Sequence, residues 1–254
     1  DECNKCKKRI NSSKKALTKT QSLNRPPIDK ELQPSTQNPN CPNLAPIVME
    51  YVLGNPSNLD PQYLDAITYA FVEIDSNGNL VVPAPTYLKN MVNLRNSNPD
   101  LQVIAAIGGW AADGFSDAAL TPTSRYNFAR NVQKLINDYK LDGIDLDWEY
   151  PGSSASGIKS RPQDRENFTL LITALRDVLG PNTWISVAGT GDSTYINNSV
   201  EIDKIAPLIT HFNLMSYDFT AGETGSSGQK HQANLYDSAL SLPGYSTDRY
   251  VRNL

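Results

Sequence analysis

Between Pro46 and Leu254, six apolar runs with strand character alternate with segments of helical spacing, and this alternation restricts the fold more than any other feature of the chain. The predicted strands are Pro46–Val52, Ala66–Glu73, Val103–Ile107, Gly143–Tyr150, Trp184–Ala188 and His211–Tyr217. Predicted helices lie between them at Leu59–Asp65, around Tyr87–Arg95, through Tyr126, Phe128, Val132 and Leu135 to about Leu141, over Pro162–Leu179, and at Val200–Leu208. Ser246-Thr247-Asp248 has the composition of a further helix start. Strands that are apolar throughout and separated by helices imply a parallel sheet covered by those helices. Two α/β architectures meet that description, an open doubly wound sheet and a (β/α)8 TIM-type barrel. No Gly-x-Gly-x-x-Gly follows a strand, so the usual dinucleotide argument for the open sheet is missing. Polar residues gather instead at the carboxyl ends of the strands: Tyr51, Gly108-Gly109-Trp110, Asp147 with Glu149, and Tyr217 with Asp218. Barrel enzymes build their sites there, so the barrel is expected, present as about six of its eight β/α units. The sequence reads as truncated, with apolar edges exposed at its first and sixth strands.

The fourth strand carries the chemistry. In Asp142-Gly143-Ile144-Asp145-Leu146-Asp147-Trp148-Glu149-Tyr150-Pro151, the strand period of two puts Asp145, Asp147 and Glu149 on one face and Ile144, Leu146 and Trp148 on the other. Neighbouring carboxylates on such a face are only about 6–7 Å apart, close enough for strong repulsion if all are ionised. At least one must hold a proton with a raised pKa, or each must have an arranged partner. Asp142, ahead of the strand, reads as a turn or structural residue.

Charge and cysteine use narrow the surroundings. Residues 1–45 hold nine Lys or Arg against four Asp or Glu, a balance of +5 against a whole-chain charge of −4, so residues 46–254 carry −9. That acidic body argues against nucleic acid as a partner and suits a neutral polar substrate. No apolar run is long enough to span a membrane. Residues 1–45, interrupted by Pro26-Pro27, Pro34, Pro39 and Pro42, read as a flexible basic tail or linker ahead of a catalytic domain at 46–254. Cys3, Cys6 and Cys41 all fall in that tail; no second Cys/His pair follows Cys3-x-x-Cys6, so neither a metal nor a cofactor is expected.

Asp142-x-x-Asp145-x-Asp147-x-Glu149, followed by Tyr-Pro and joined by Met215-Ser-Tyr-Asp, resembles the signatures of glycoside hydrolase family 18, and Trp148 is similar to its chitinase branch. The resemblance covers about residues 46–254. It implies a hydrolase of β-1,4-linked N-acetylglucosamine polymers such as chitin that retains anomeric configuration, with the substrate's own N-acetyl group as nucleophile. It implies Glu149 as general acid and base, Asp147 as orienting and charge-stabilising residue, and Asp145 sharing a proton with Asp147. Tyr217 and Asp218 match the family's catalytic Met-x-Tyr-Asp, with the Tyr217 hydroxyl holding the acetamido group, and Tyr51 would lie near the inner acids. Trp110 after Gly109 would form an aromatic platform, with Phe71, Tyr150 and Met215 lining the pocket. A secreted, extracellular protein, monomeric when complete, is the corresponding expectation. An inactive sugar-binding relative and an inactive fragment stay open as alternatives. Two departures stand out: Ala106 occupies a position where the family often has Ser to hold the inner acid, and no eighth-strand tryptophan is present.

Overall fold

Six parallel strands form one continuous sheet in the computed structural model, which describes residues 46–222 and 229–254. The proposed tail with Cys3, Cys6 and Cys41, and most of the Gly/Ser-rich loop, lie outside the described residues. The strands are β1 (Met49–Leu53), β2 (Ala66–Ile74), β4 (Gln102–Gly108), β5 (Gly143–Asp147), β6 (Trp184–Gly189) and β7 (His211–Leu214), paired in that order. A short antiparallel strand β3 (Leu80–Val81) folds back on β2 through the turn at Asp75, whose Oδ1 accepts from the amides of Asn77 and Asn79, each at 2.8 Å. The sheet is strongly curled. Asn213 on β7 donates from Nδ2 to the hydroxyl of Tyr51 on β1 at 2.7 Å, so its two terminal strands meet across the interior. This is the curvature of a TIM-type barrel seen over six of its strands.

Helices cover the outer face. α1 (Pro85–Asn93), α2 (Phe115–Ala118), α3 (Pro122–Tyr139) and α4 (Asp164–Leu179) are followed by the short α5 (Ser193–Asn198) and α6 (Ile202–Ile205), then α7 (Thr247–Asn253). α3 begins where Thr121 and Ser124 exchange side-chain and backbone hydrogen bonds, satisfying two amides that the first turn leaves without partners. It ends at Lys140, which takes a left-handed conformation with φ 57°. Ile144, Leu146 and Trp148 face outward from β5 into this layer. Trp148 stacks on Phe115 at 5.4 Å and meets the edge of Phe168 at 5.6 Å. Burying a side chain of phenylalanine size contributes about 1.5–3 kcal/mol, so this cluster anchors β5 from behind.

Several boundaries differ from expectation. The helix predicted at Leu59–Asp65 is only a 3-10 turn, Pro61–Tyr63, capped by Asp60. Val200–Leu208 shrinks to α6, and neither α2 nor α5 was foreseen. The acidic strand stops at Asp147 rather than Tyr150, because its neighbour β4 leaves the sheet at Gly108 and Gly109, with φ of 112° and 96°. The Gly109 amide makes the closing contact, donating to the Asp147 carbonyl at 2.9 Å. β7 stops at Leu214 for the same reason: β6 ends at Gly189, whose carbonyl accepts from the Met215 amide at 2.9 Å.

Candidate active site

The carboxylates of the acidic stretch are graded by depth. Asp145 is fully buried, Asp147 is 5% exposed, and Glu149, two residues past the end of β5, is half-buried at the mouth. Asp145 is surrounded by donors. Ser186 Oγ reaches Oδ1 at 2.6 Å, Asn213 Nδ2 reaches the same oxygen at 2.9 Å, and Tyr51 Oη reaches Oδ2 at 3.0 Å. Burial pushes the Asp145 carboxyl up, and these three bonds pull against it. Asp147 has no such help; its Oδ1 is buried and meets no donor among the described residues. Burial, then the charges of Glu149 and Asp145, push it up to about 8, so it holds a proton at neutral pH. No hydrogen bond joins Asp145 to Asp147 directly among the described residues, and burial pushes both carboxyls up. Glu149 is also pushed up, by burial first and by the charge of Asp218 beyond it, while the Tyr150 hydroxyl opposes that shift.

The backbone that shapes this row is tightly specified. A Cβ added to Gly108 would lie 2.1 Å from the Asp147 carbonyl oxygen, so no other residue fits beside the acid without displacement. Gly109 leaves room for the ring of Phe71. Trp110 is 63% exposed and meets Tyr150 edge to face at 6.5 Å; Tyr150 in turn meets Tyr195 at 5.5 Å. Phe71, Gly109 and Trp110 line a cleft of about 810 Å³ that also includes Glu73 and Tyr87. This cleft adjoins the acidic row without containing it. Tyr217 is exposed, yet burial and the charges of Asp147 and Glu149 push its phenol up. Asp218 sits in the left-handed region at φ 56° and accepts from Gln232 Nε2 at 2.7 Å. Met215 is half-buried.

The loop that follows Glu149 is clamped at two points. Ser156 Oγ donates to the Glu149 carbonyl at 2.7 Å. Further on, the buried Asp164 accepts from the Arg161 amide at 2.7 Å and from Ser116 Oγ at 2.8 Å, while Arg161 and Lys159 both pair with Asp117. Asp142 is structural, as expected: Arg95 pairs with it, and it accepts from the Val103 amide at 2.6 Å.

The fold thus brings Tyr51, Asp145, Asp147, Glu149, Tyr150 and Tyr217 to one place, with Phe71, Gly109 and Trp110 along its rim. Ser186 and Asn213 were not anticipated. Both lie at inward positions of their strands by the period of two, but only strand register places them beside Asp145.

A curled parallel sheet with a graded carboxylate row at its carboxyl-terminal mouth is the frame of a barrel hydrolase. The chain belongs to the glycosyl hydrolases family 18, whose pattern matches residues 46–254. Among solved structures it is similar to the chitinase domain of the spore coat protein CotE from Clostridium difficile, at 70% identity and a TM-score of 0.83, over 87% of this chain and 64% of that one. It is also similar to a family 18 N-acetylglucosaminidase from Paenibacillus barengoltzii, at 32% identity and a TM-score of 0.72, over 82% of this chain and 64% of that one. Chitinase A1 of Niallia circulans is 34% identical over 64% of this chain and 24% of its own length. The chain spans between about a quarter and about a half of these curated relatives.

Proposed function

We propose that this chain carries the acid–base half of a chitinase-type hydrolase of β-1,4-linked N-acetylglucosamine polymers, retaining and substrate-assisted. One observation carries the reading: Glu149 alone of the carboxylate row stands at the mouth, while Asp147 lies one pleat deeper and almost fully buried. Most glycosidases flank the bond with two reachable carboxylates. Here a single acid reaches it, which suits a substrate that provides its own nucleophile.

Glu149, whose carboxyl is pushed up by burial, donates its proton to the glycosidic oxygen as the C–O bond breaks. The acetamido carbonyl oxygen of the sugar attacks the anomeric carbon, forming a positively charged oxazolinium ring. Asp147 orients the acetamido N–H, the negative charge of the Asp145–Asp147 pair offsets the developing charge, and Tyr217 stands at the carbonyl end. Water then attacks the anomeric carbon, giving one proton to Glu149 and restoring the original configuration. Two inversions give net retention. Trp110, Phe71, Tyr150 and Met215 offer apolar faces for sugar rings. A polymer of this kind is cut where it lies, which places the reaction outside the cell, and residues 1–45 would then serve as a linker to it.

The test uses the protein expressed from its full reading frame. Glu149→Gln is expected to lower turnover by about 10²–10⁴ while oligosaccharide binding stays nearly intact. Replacing N-acetylglucosamine by glucosamine in the sugar before the scissile bond should abolish cleavage and cost binding much less. Comparable turnover of the two sugars would mean that an enzyme carboxylate attacks directly.

A further inference from the structure

Asp145 lies in register between Ala106 of β4 and Ser186 of β6. Ala106 offers it no hydroxyl. The donor comes from the opposite side, where Ser186, itself fully buried, reaches Asp145 Oδ1 at 2.6 Å. Ser186 Oγ also accepts from Trp184 Nε1 at 3.1 Å. An indole N–H can only donate, so the hydroxyl hydrogen of Ser186 is directed at Asp145. The second arm has the same logic. Asn213 Nδ2 donates to Tyr51 Oη at 2.7 Å, which leaves the Tyr51 hydrogen for Asp145 Oδ2 at 3.0 Å. Both hydroxyls are thus directed at Asp145 by N–H donors, and its Oδ1, which accepts from Ser186 and Asn213, has both lone pairs engaged. Charge-assisted hydrogen bonds of this kind are about twice as strong as neutral ones.

We propose that Ser186, oriented by Trp184, is a positioning residue that holds Asp145 as the charged member of the inner pair, so that the proton resides on Asp147. It supplies from β6 the hydroxyl that Ala106 lacks on β4. The inference rests on the catalytic reading of Asp147 and Glu149 given above. The titratable groups around Asp145 are Tyr51 from β1 and Asp147 on β5 itself; His211 from β7 stacks on Trp184 at 4.0 Å. Tyr195 and Tyr217 stand farther off around the same acids. Ala106 brings no charge from β4.

The experiment is the pH profile of kcat for the protein expressed from its full reading frame. Ser186→Ala removes one donor from the anion, so the inner pair takes up its second proton at higher pH. The acid limb should move up by about one pH unit, with KM changed less than about twofold. Trp184→Phe keeps an aromatic ring against His211 while removing the indole N–H; its limb should move the same way by about half as much. Adding Ala106→Ser to Ser186→Ala returns a hydroxyl from the other neighbour and should bring the limb back toward the parent position. A purely structural role would lower kcat equally at every pH, and that result, an unmoved limb, or no recovery with Ala106→Ser would overturn the proposal. Should Ser186→Ala fail to fold, Trp184→Phe decides: a shifted limb supports it and an unshifted one rejects it. Glu149→Gln measured alongside separates the two levels. An active Glu149→Gln enzyme rejects the catalytic reading itself, whereas an inactive one with unmoved limbs in the other variants rejects only the role of Ser186.

Discussion

Asp147 is pushed up to about 8 by burial and by its two acidic neighbours, and this ties stability to pH. A carboxyl whose folded pKa is raised binds its proton more tightly in the native state. Its contribution is fully present below the unfolded value and is lost as pH rises through the folded one. Stability should therefore fall between about pH 4 and pH 8 by an amount of the order of a few kcal/mol. Asp147→Asn, which has no charge to bury, should flatten that slope in urea or thermal melts recorded across the same window. An unchanged slope would mean that the proton sits elsewhere. Gly108 is the second residue where a small change has a large consequence. Its φ is 112°, and a Cβ there would come within 2.1 Å of the Asp147 carbonyl oxygen, so Gly108→Ala is both strained and overpacked. A loss of about 3 kcal/mol or more is expected in chemical denaturation, along with reduced turnover because Asp147 must move.

Among the elements, the segment between β5 and α4 decides how firmly Glu149 is held. Asp164 stands at the first position of α4, where a carboxylate is favoured by the helix dipole; one of its oxygens binds the incoming loop at Arg161 and the other binds Ser116 of α2. Asp164→Ala strands the Ser116 hydroxyl and the Arg161 amide and loosens Arg161. The cost should be about 2–4 kcal/mol, with faster proteolytic cleavage between Gly152 and Gln163. Limited proteolysis followed by mass spectrometry reads this directly; cleavage at the parent rate would show that the clamp is dispensable. The exposed pair Arg252–Asp248 on α7 offers a contrast, since surface pairs contribute about 0–1 kcal/mol and its removal should pass unnoticed.

At the scale of the molecule, β1 and β7 each have a strand partner on one side only among the described residues. Leu53 is 83% exposed and Val48 52%, so the β1 edge presents apolar side chains beside open backbone groups. Such an edge is a template for pairing with another chain. Residues 46–254 expressed alone should associate with rising concentration in sedimentation velocity. Glu or Lys at Leu53 should shift that equilibrium toward monomer. A sharp monomeric boundary at all concentrations would show that the polar bridge from Tyr51 to Asn213 is enough to seal the sheet.

The sequence alone determined the alternation of strands and helices, the outward row of Ile144, Leu146 and Trp148, and the inward row of acids, because these follow from local periodicity. It also marked Glu149 as the outermost acid and Asp142 as structural, since order along a strand is order in depth. What it could not supply was register. Only the tertiary structure decided that Ser186 and Asn213 flank Asp145, and that Asp147 is left with an oxygen no donor meets among the described residues. It also decided where β5 and β7 stop, since a strand ends when its neighbour's backbone turns away at Gly108 or Gly189, not when its own residues change. The sequence thus named the carboxylates, and the hydrogen bonds from three other strands set the innermost of them apart from its neighbours.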